Sequence, residues 1–86
     1  MFYVYILYSS SFDKTYVGFT SELEGRLSAH NHPQNKGYTK RFQPWEIVHH
    51  EIYQTKSEAM EREKWYKTGN GRREIDRILK EKGLRR

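Results

Sequence analysis

Two strand-like segments near the start of the chain each carry a tyrosine, whose phenol can donate or accept a proton. The first contains Tyr5 and the second contains Tyr16. If Tyr8 pairs with Asp13 across a four-residue loop, the hairpin register places Tyr5 directly opposite Tyr16. Directly paired residues point to the same face of a sheet, so two phenols would stand side by side. The alternative is that both tyrosines only pack, since tyrosine is a good strand residue.

Charged and polar groups follow on two predicted helices. Arg26 and His30 are four residues apart in the helix that leaves the second strand, so they share a helix face. Each can act on a ligand or remain an ordinary surface residue. Glu63 shares a face with Ala59 and Tyr66 on a later helix. A carboxylate on such a semi-apolar face needs a partner, either a salt bridge to Arg or Lys or a metal ion.

Several other kinds of site are disfavoured. The chain has no cysteine, which excludes disulfides, cysteine zinc sites and thiol catalysis. It has no glycine-rich phosphate loop, so we predict no nucleotide cofactor. The pairs His49-His50 and His30/His32 lack the helical spacing of a zinc motif, which disfavours a transition-metal site.

The charge balance favours an acidic partner. The 86 residues include 16 Lys and Arg against 11 Asp and Glu, a formal net charge of +5, and 15% are aromatic. A small, basic, tyrosine-rich domain is typical of proteins that bind phosphate groups. The longest apolar run is far short of the roughly 20 residues that a membrane span needs. We therefore expect no membrane association, no signal peptide and a cytoplasmic location; the oligomeric state is not predicted.

Six predicted elements must position these residues, in the order ββαβαα. The predicted strands cover residues 2–8, 15–19 and 45–53, and the predicted helices cover about 21–31, 55–68 and 72–82, with a loop at 31–44. The first strand is apolar at both parities, which predicts cover on both faces. The expected fold is a single α+β domain over residues 1–86, a three-stranded antiparallel sheet flanked by helices.

Local signals suggest where the helices begin and end. Ser21 with Glu24, and Thr55 with Glu58, have the spacing of a capping box. Gly69 is predicted to end the second helix. Gly83 is predicted to close the third in the same way.

The order and spacing of the candidate residues resemble the GIY-YIG nuclease family. Tyr3-Val4-Tyr5, followed eleven residues later by Tyr16-Val17-Gly18, is similar to the paired motif of that family. Arg26 lies eight residues after Gly18, and Glu63 lies on a helix after a third strand, which completes the pattern. The resemblance covers about residues 2–70. It is strongest to the small stand-alone UPF0213-type members, which are related to the nuclease domain of UvrC.

One position departs from the motif. Tyr3 stands where the family name has glycine. Small stand-alone members also tend to lack that glycine, so the departure does little to weaken the resemblance.

The resemblance implies a metal-dependent DNA endonuclease that hydrolyses phosphodiester bonds, with a role in repair or recombination. It implies that Tyr5, Tyr16, Arg26 and Glu63 are catalytic and share one concave surface. Glu63 would hold a single Mg²⁺ or Mn²⁺, and Arg26 would pair with the scissile phosphate, for which a guanidinium is well suited. Tyr16 would orient or deprotonate the attacking water, and Tyr5 would support it by hydrogen bonding.

Further residues take supporting roles under the same resemblance. Gly18, His30 and Tyr38 would support the site. The flanking nucleic-acid backbone would be held by Lys14, Lys36, Lys40, Arg41 and Lys67 through sequence-independent contacts. The alternatives are a catalytically weak nucleic-acid-binding module of the same fold, or an adaptor that binds a protein partner.

Overall fold

The computed structural model describes residues 1–86, and its helices lie on both faces of a three-stranded antiparallel sheet. The elements are β1 (Phe2–Ser9), β2 (Lys14–Thr20), α1 (Leu23–Asn31), a 3₁₀ helix (Tyr38–Phe42), β3 (Glu46–Tyr53), α2 (Lys56–Tyr66) and α3 (Gly69–Glu81). The predicted order ββαβαα and the α+β fold are confirmed. The 3₁₀ helix lies within the segment predicted as loop. No helix has the length and apolar character needed to cross a membrane.

Strand β1 is the central strand, because the sheet order is β2-β1-β3. Every residue from Val4 to Tyr8 is buried, which confirms the prediction that this strand is covered on both faces. Alternate side chains point to opposite faces. Val4, Ile6 and Tyr8 therefore belong to the core under α2 and α3, whereas Tyr5 and Leu7 pack with Trp45 on the α1 side.

The predicted hairpin register is wrong by two residues. Tyr8 pairs with Thr15, and Tyr5 lies opposite Gly18 rather than Tyr16. Tyr8 does meet Asp13, but through its hydroxyl, which donates to Asp13 Oδ1 at 2.8 Å. Asp13 lies in the turn with a φ of 51°, a conformation that aspartate tolerates better than most residues. Because a shift of two keeps every side chain on its face, Tyr5 and Tyr16 still share one face.

The two predicted capping boxes have opposite outcomes. The Thr55–Glu58 box is confirmed, with both reciprocal bonds present. The Ser21–Glu24 box is wrong, because α1 begins after Glu22 and has no side-chain cap. The Thr20 hydroxyl instead accepts the Glu22 backbone N–H at 3.1 Å.

The boundary between α2 and α3 also differs from the prediction. Gly69 does not end α2 but is the first residue of α3, since the Thr68 side chain caps α3 by accepting from Gly71 N–H. A Cβ on Gly71 would lie 2.2 Å from the Trp65 carbonyl oxygen, so glycine allows the two helices to meet closely. Gly83 closes α3 as predicted, with a φ of 73° and the paired hydrogen bonds of a Schellman motif.

Candidate functional site

Gly18 makes room for the Tyr5 side chain to lie across β2. A Cβ at Gly18 would stand 2.5 Å from the Tyr5 hydroxyl oxygen and 2.7 Å from its Cζ. Any other residue at this position would push the ring away. The motif glycine therefore has a steric function here, which is to let the Tyr5 phenol reach the residues beyond the strand.

The Tyr5 phenol enters a buried hydrogen-bond network. Its oxygen lies 3.0 Å from His30 Nε2, and His30 Nδ1 lies 2.9 Å from the Thr39 hydroxyl. Asn35 Nδ2 donates to that same hydroxyl at 2.7 Å. These bonds connect β1, α1 and the 3₁₀ helix. The Trp45 indole N–H also donates to the Thr39 carbonyl at 2.7 Å. We call Tyr5, His30, Thr39 and Asn35 the Tyr5 network.

Burial keeps the Tyr5 network uncharged. It raises the pKa of Tyr5 to about 12, although the neighbouring Arg26 guanidinium opposes the shift. Burial, together with Arg26, lowers the pKa of His30. At neutral pH, Tyr5 is thus a phenol and His30 a neutral imidazole. A neutral imidazole has one donor and one acceptor nitrogen, so Tyr5 and Thr39 take opposite hydrogen-bonding roles towards it.

Tyr16 and Arg26 face a small cavity beside this network. The cavity has a volume of about 240 Å³, and its walls include Tyr16, Arg26, His30 and Tyr38. The Tyr16 ring centre is 4.8 Å from that of His30 and 6.4 Å from that of Tyr5. A phenol, an exposed guanidinium and the Tyr5 network therefore meet in one concave place.

Glu63 comes from the other side of the sheet. Helix α2 packs with the core of Val4 and Ile6, whereas Tyr5 packs on the α1 side. The Glu63 carboxylate nevertheless contributes to the raised pKa of Tyr5, after the larger effects of burial and of Tyr16 and against the opposing effect of Arg26. Helix α2 therefore packs on the face of the sheet opposite to Tyr5, and Glu63 does not line the cavity of Tyr16 and Arg26. Strand β2 is an open edge of the sheet.

A larger groove shows that side chains of both faces reach this edge. It has a volume of about 510 Å³ and contains Tyr16 and Tyr38 together with Tyr66, Lys67 and Arg72. Lys14 and Arg85 add positive charge to its walls. Arg85 is ion-paired with Asp13 at 2.8 Å and Lys67 with Glu63 at 3.3 Å, so Lys14 and Arg72 are the cations of the groove without an ion pair.

The residues predicted to contact nucleic acid lie in three separate places. Lys14 and Lys67 line the groove. Lys36 and Lys40 line a shallow hollow of their own, where Lys40 donates to the Pro33 carbonyl. Arg41 lies near Phe42. Arg72 was missed by the sequence analysis, because only its place in the first turn of α3, next to the closely packed Gly71, brings it to the groove.

The donor set for a divalent cation is sparse. No group of three or more His, Cys, Asp or Glu is placed to hold a metal ion. The Glu63 side chain is 20% exposed and has a single ion pair, with Lys67 Nζ at 3.3 Å. A lone carboxylate with free lone pairs fits Mg²⁺, which keeps several waters and takes phosphate oxygens. The residues present therefore fit a singly anchored cation.

A second polar cluster was missed by the sequence analysis. Glu51 accepts hydrogen bonds from His49, Tyr53, Arg62 and Tyr66, with Arg62 Nε at 2.8 Å. Partial burial alone would raise its pKa, but these bonds together lower the pKa of Glu51 to about 2. We call these five residues the Glu51 hub. Alternation on β3 puts His49, Glu51 and Tyr53 on one face, a signal that the sequence does contain.

Comparisons with known proteins give a family match and curated relatives. Residues 1–76 match the family described as the GIY-YIG catalytic domain. UPF0213 proteins from Staphylococcus aureus strains Mu50, N315 and MW2 are each 36% identical to this chain over 80 residues, which is 93% of this chain and 95% of the relative. No solved structure gives a significant match.

Proposed function

Because this chain belongs to the GIY-YIG family, whose catalytic domain has a nuclease-type fold, we propose that it is a metal-dependent endonuclease that hydrolyses phosphodiester bonds in DNA. The observation that carries the proposal is the meeting of Tyr16, Arg26 and the Tyr5 network around one cavity at the edge of β2. Phosphodiester hydrolysis needs a positioned water and a positive group that stabilises the negative charge on the phosphoryl oxygens. This cavity has groups for both.

Arg26 is proposed to hold the scissile phosphate. It is exposed on α1 and lines the cavity with Tyr16. A guanidinium is always protonated and can offer two parallel N–H groups to two phosphate oxygens. Its charge would also stabilise the additional negative charge that develops on these oxygens.

The two tyrosines are proposed to have different roles. Tyr5 is buried and its pKa is raised to about 12, so it serves as a fixed hydrogen-bonding group and not as a base. Tyr16 is only partly buried and lines both the cavity and the groove. It is therefore the tyrosine that can touch the attacking water, to orient it as the phenol or to accept its proton as the phenolate.

Glu63 is proposed as the protein ligand of the cation. Family nucleases typically depend on a divalent metal. Bound there, Mg²⁺ or Mn²⁺ would supply Lewis-acid stabilisation of phosphoryl and leaving oxygens. In its absence, the Lys67 ammonium neutralises part of the Glu63 charge.

The groove at the edge of β2 is proposed to carry the sugar-phosphate backbone away from the scissile position. Lys14, Lys67 and Arg72 line it, and the chain has an excess of positive charge. Contacts of this kind do not read sequence. The logarithm of the affinity for DNA should therefore fall linearly with the logarithm of the salt concentration.

A substrate panel tests the proposal. Purified protein is incubated with nicked, flapped, branched and single-stranded DNA, with and without Mg²⁺, and products are resolved by length. We expect Mg²⁺-dependent cleavage, reduced roughly 100-fold or more in Tyr16→Phe, with DNA affinity nearly unchanged. Tyr3→Phe is the matched control, because Tyr3 takes no part in the Tyr5 network. Cleavage of nicked or branched forms would support a role in repair or recombination, and binding of every substrate without cleavage would favour a binding module.

A further inference from the structure

Three aromatic rings form a ridge on the surface next to the candidate site. Phe12 in the β1–β2 turn is 50% exposed, and Tyr38 is 56% exposed. Both contact Phe42, with ring centres 5.5 Å from Phe12 and 5.1 Å from Tyr38. Phe42 in turn packs edge-on against the buried Trp45. The ridge of Phe12, Phe42 and Tyr38 is thus anchored in the core at its centre and open to solvent at both ends.

Positive charges flank this ridge. Lys14 Nζ is 5.6 Å from the centre of the Phe42 ring, and the Arg41 guanidinium is 5.7 Å from it. Neither cation has an ion pair with a carboxylate. Exposed rings beside free cations suit a ligand that alternates flat apolar groups with anionic ones, which is the chemistry of a nucleotide chain.

Tyr38 connects the ridge to the candidate site. It lines both the cavity that contains Arg26 and the groove that contains Lys67 and Arg72. A strand whose phosphate lies at Arg26 would therefore pass Tyr38 before reaching Phe12. The ridge stands beside the path of the chain that the proposed function requires.

We propose that the aromatic ridge is a stacking site for unpaired bases, and that the substrate is single-stranded at the nucleotides next to the scissile phosphate. This inference rests on the proposed function and names its substrate class. In a duplex the faces of the bases are stacked on one another, so only unpaired bases can offer a face to Phe12 or Tyr38. The charge of Lys14 and Arg41 complements the phosphates between these bases.

A binding measurement without divalent metal tests the inference apart from cleavage. Fluorescence anisotropy compares a short oligothymidine, an abasic oligonucleotide of the same length and a blunt duplex of two complementary strands. For Phe12→Ala we expect the affinity for oligothymidine to fall roughly 5- to 100-fold, with the affinities for the abasic strand and the duplex unchanged. Ile52→Ala is the matched control, since Ile52 is a 51% exposed apolar residue on β3, away from the ridge, and it should change none of the three.

Two further substitutions of Phe12 distinguish a loss of stacking from a folding defect. Phe12→Tyr keeps the ring and should bind oligothymidine like the wild type. If Phe12→Ala does not fold, Phe12→Leu keeps an apolar side chain without a ring and should show the loss.

Three results would overturn the inference. The first is an unchanged oligothymidine affinity in Phe12→Ala, and the second is an equal loss for the abasic strand, which would make the surface a charge contact only. The third is self-association in sedimentation that Phe12→Ala abolishes while DNA affinity stays the same, which would make the ridge a protein-docking surface. Cleavage with no stacking effect would refute this inference alone, and a stacking effect without cleavage of any substrate would refute only the nuclease proposal.

Discussion

The two faces of the sheet each bury a tyrosine in a polar cluster, and the two clusters differ in charge and in access. Tyr66 in the Glu51 hub is 1% exposed and Tyr5 in the Tyr5 network is 2% exposed. The hub is ionic, since a carboxylate of low pKa holds the Arg62 guanidinium. The Tyr5 network contains no charged member at neutral pH, and it borders a cavity with an exposed arginine.

This difference separates a structural cluster from one suited to catalysis. The Glu51 carboxylate accepts from all four of its neighbours in the hub, and Arg62 also packs over the rings of Trp65 and Tyr66. The hub therefore fixes α2 against β3 and leaves Glu51 little capacity for a ligand. The Tyr5 network instead fixes side chains around an open space, which is the arrangement that binding a substrate requires.

Removing the hub carboxylate should give the largest change in stability. Glu51→Gln leaves Arg62, which is 33% exposed, without a charged partner, and we expect unfolding free energy to fall by about 3 kcal/mol. Urea denaturation followed by circular dichroism measures it. Glu74→Gln is the control, because the Glu74–Arg77 pair is a surface pair within one helix. Equal, small losses in both variants would mean that the hub contributes no more than a surface pair.

Acid should weaken the hub only below about pH 4.5, whereas the Tyr5 network should already lose stability below about pH 6.5, because burial lowers the pKa of His30 from that ordinary value. The folded pKa of Glu51 is about 2, below its ordinary value of 4.5. Its contribution is complete above about pH 4.5 and is lost as the pH falls towards 2, by on the order of 3 kcal/mol. Between pH 6 and 2, the free energy of unfolding should therefore fall more steeply with decreasing pH in the wild type than in Glu51→Gln. An equal dependence on pH in the two proteins would contradict the role of Glu51.

A smaller loss is expected in the Tyr5 network. Tyr5→Phe removes one hydroxyl and leaves the buried His30 Nε2 without its partner, which costs about 1 kcal/mol. The same denaturation assay measures the loss, with Tyr3→Phe as the control on the same strand. A variant as stable as the wild type would show that the hydrogen bond between Tyr5 and His30 does not stabilise the fold.

The smallest effect on stability is expected at the groove. Lys67→Ala breaks a largely exposed pair with Glu63, so stability should change by less than about 0.5 kcal/mol. The slope of log affinity for DNA against log salt should decrease by about one, because one phosphate contact is lost. Lys56→Ala, at the start of α2, is the control. An unchanged salt dependence would show that the sugar-phosphate backbone of the DNA does not contact Lys67.

The sequence was sufficient to predict the three strands and the three α-helices, and to place the tyrosines of the first hairpin on one face. Strand β1 was identified because it is hydrophobic at both odd and even positions. Tyr5 and Tyr16 were placed on one face despite a register error, because an error of two residues preserves the face. The register itself depended on a turn in which Asp13 adopts a positive φ. Local patterns also failed at Gly69, which begins α3 instead of ending α2; the close contact between the two helices is at Gly71.

The site was predicted less completely, since long-range packing decides it. The sequence pattern gave Tyr16, Arg26 and Glu63 as candidates, but not that α2 packs on the face of the sheet opposite to Tyr5. Arg72 reaches the groove only through the packing of α3. The partners of Glu51 come from two elements, and no spacing within one element reveals that they converge.

A paired comparison of Glu63→Gln with Glu51→Gln tests the separation of the two clusters most directly. Single-turnover cleavage of a DNA substrate in Mg²⁺ is measured for each variant, together with its thermal denaturation, and the rate is expressed per folded molecule. We predict that Glu63→Gln keeps its stability and loses at least about 100-fold in rate, whereas Glu51→Gln loses stability and retains the rate. A Glu63→Gln variant that cleaves at the wild-type rate, or a folded Glu51→Gln variant that does not cleave, would contradict it.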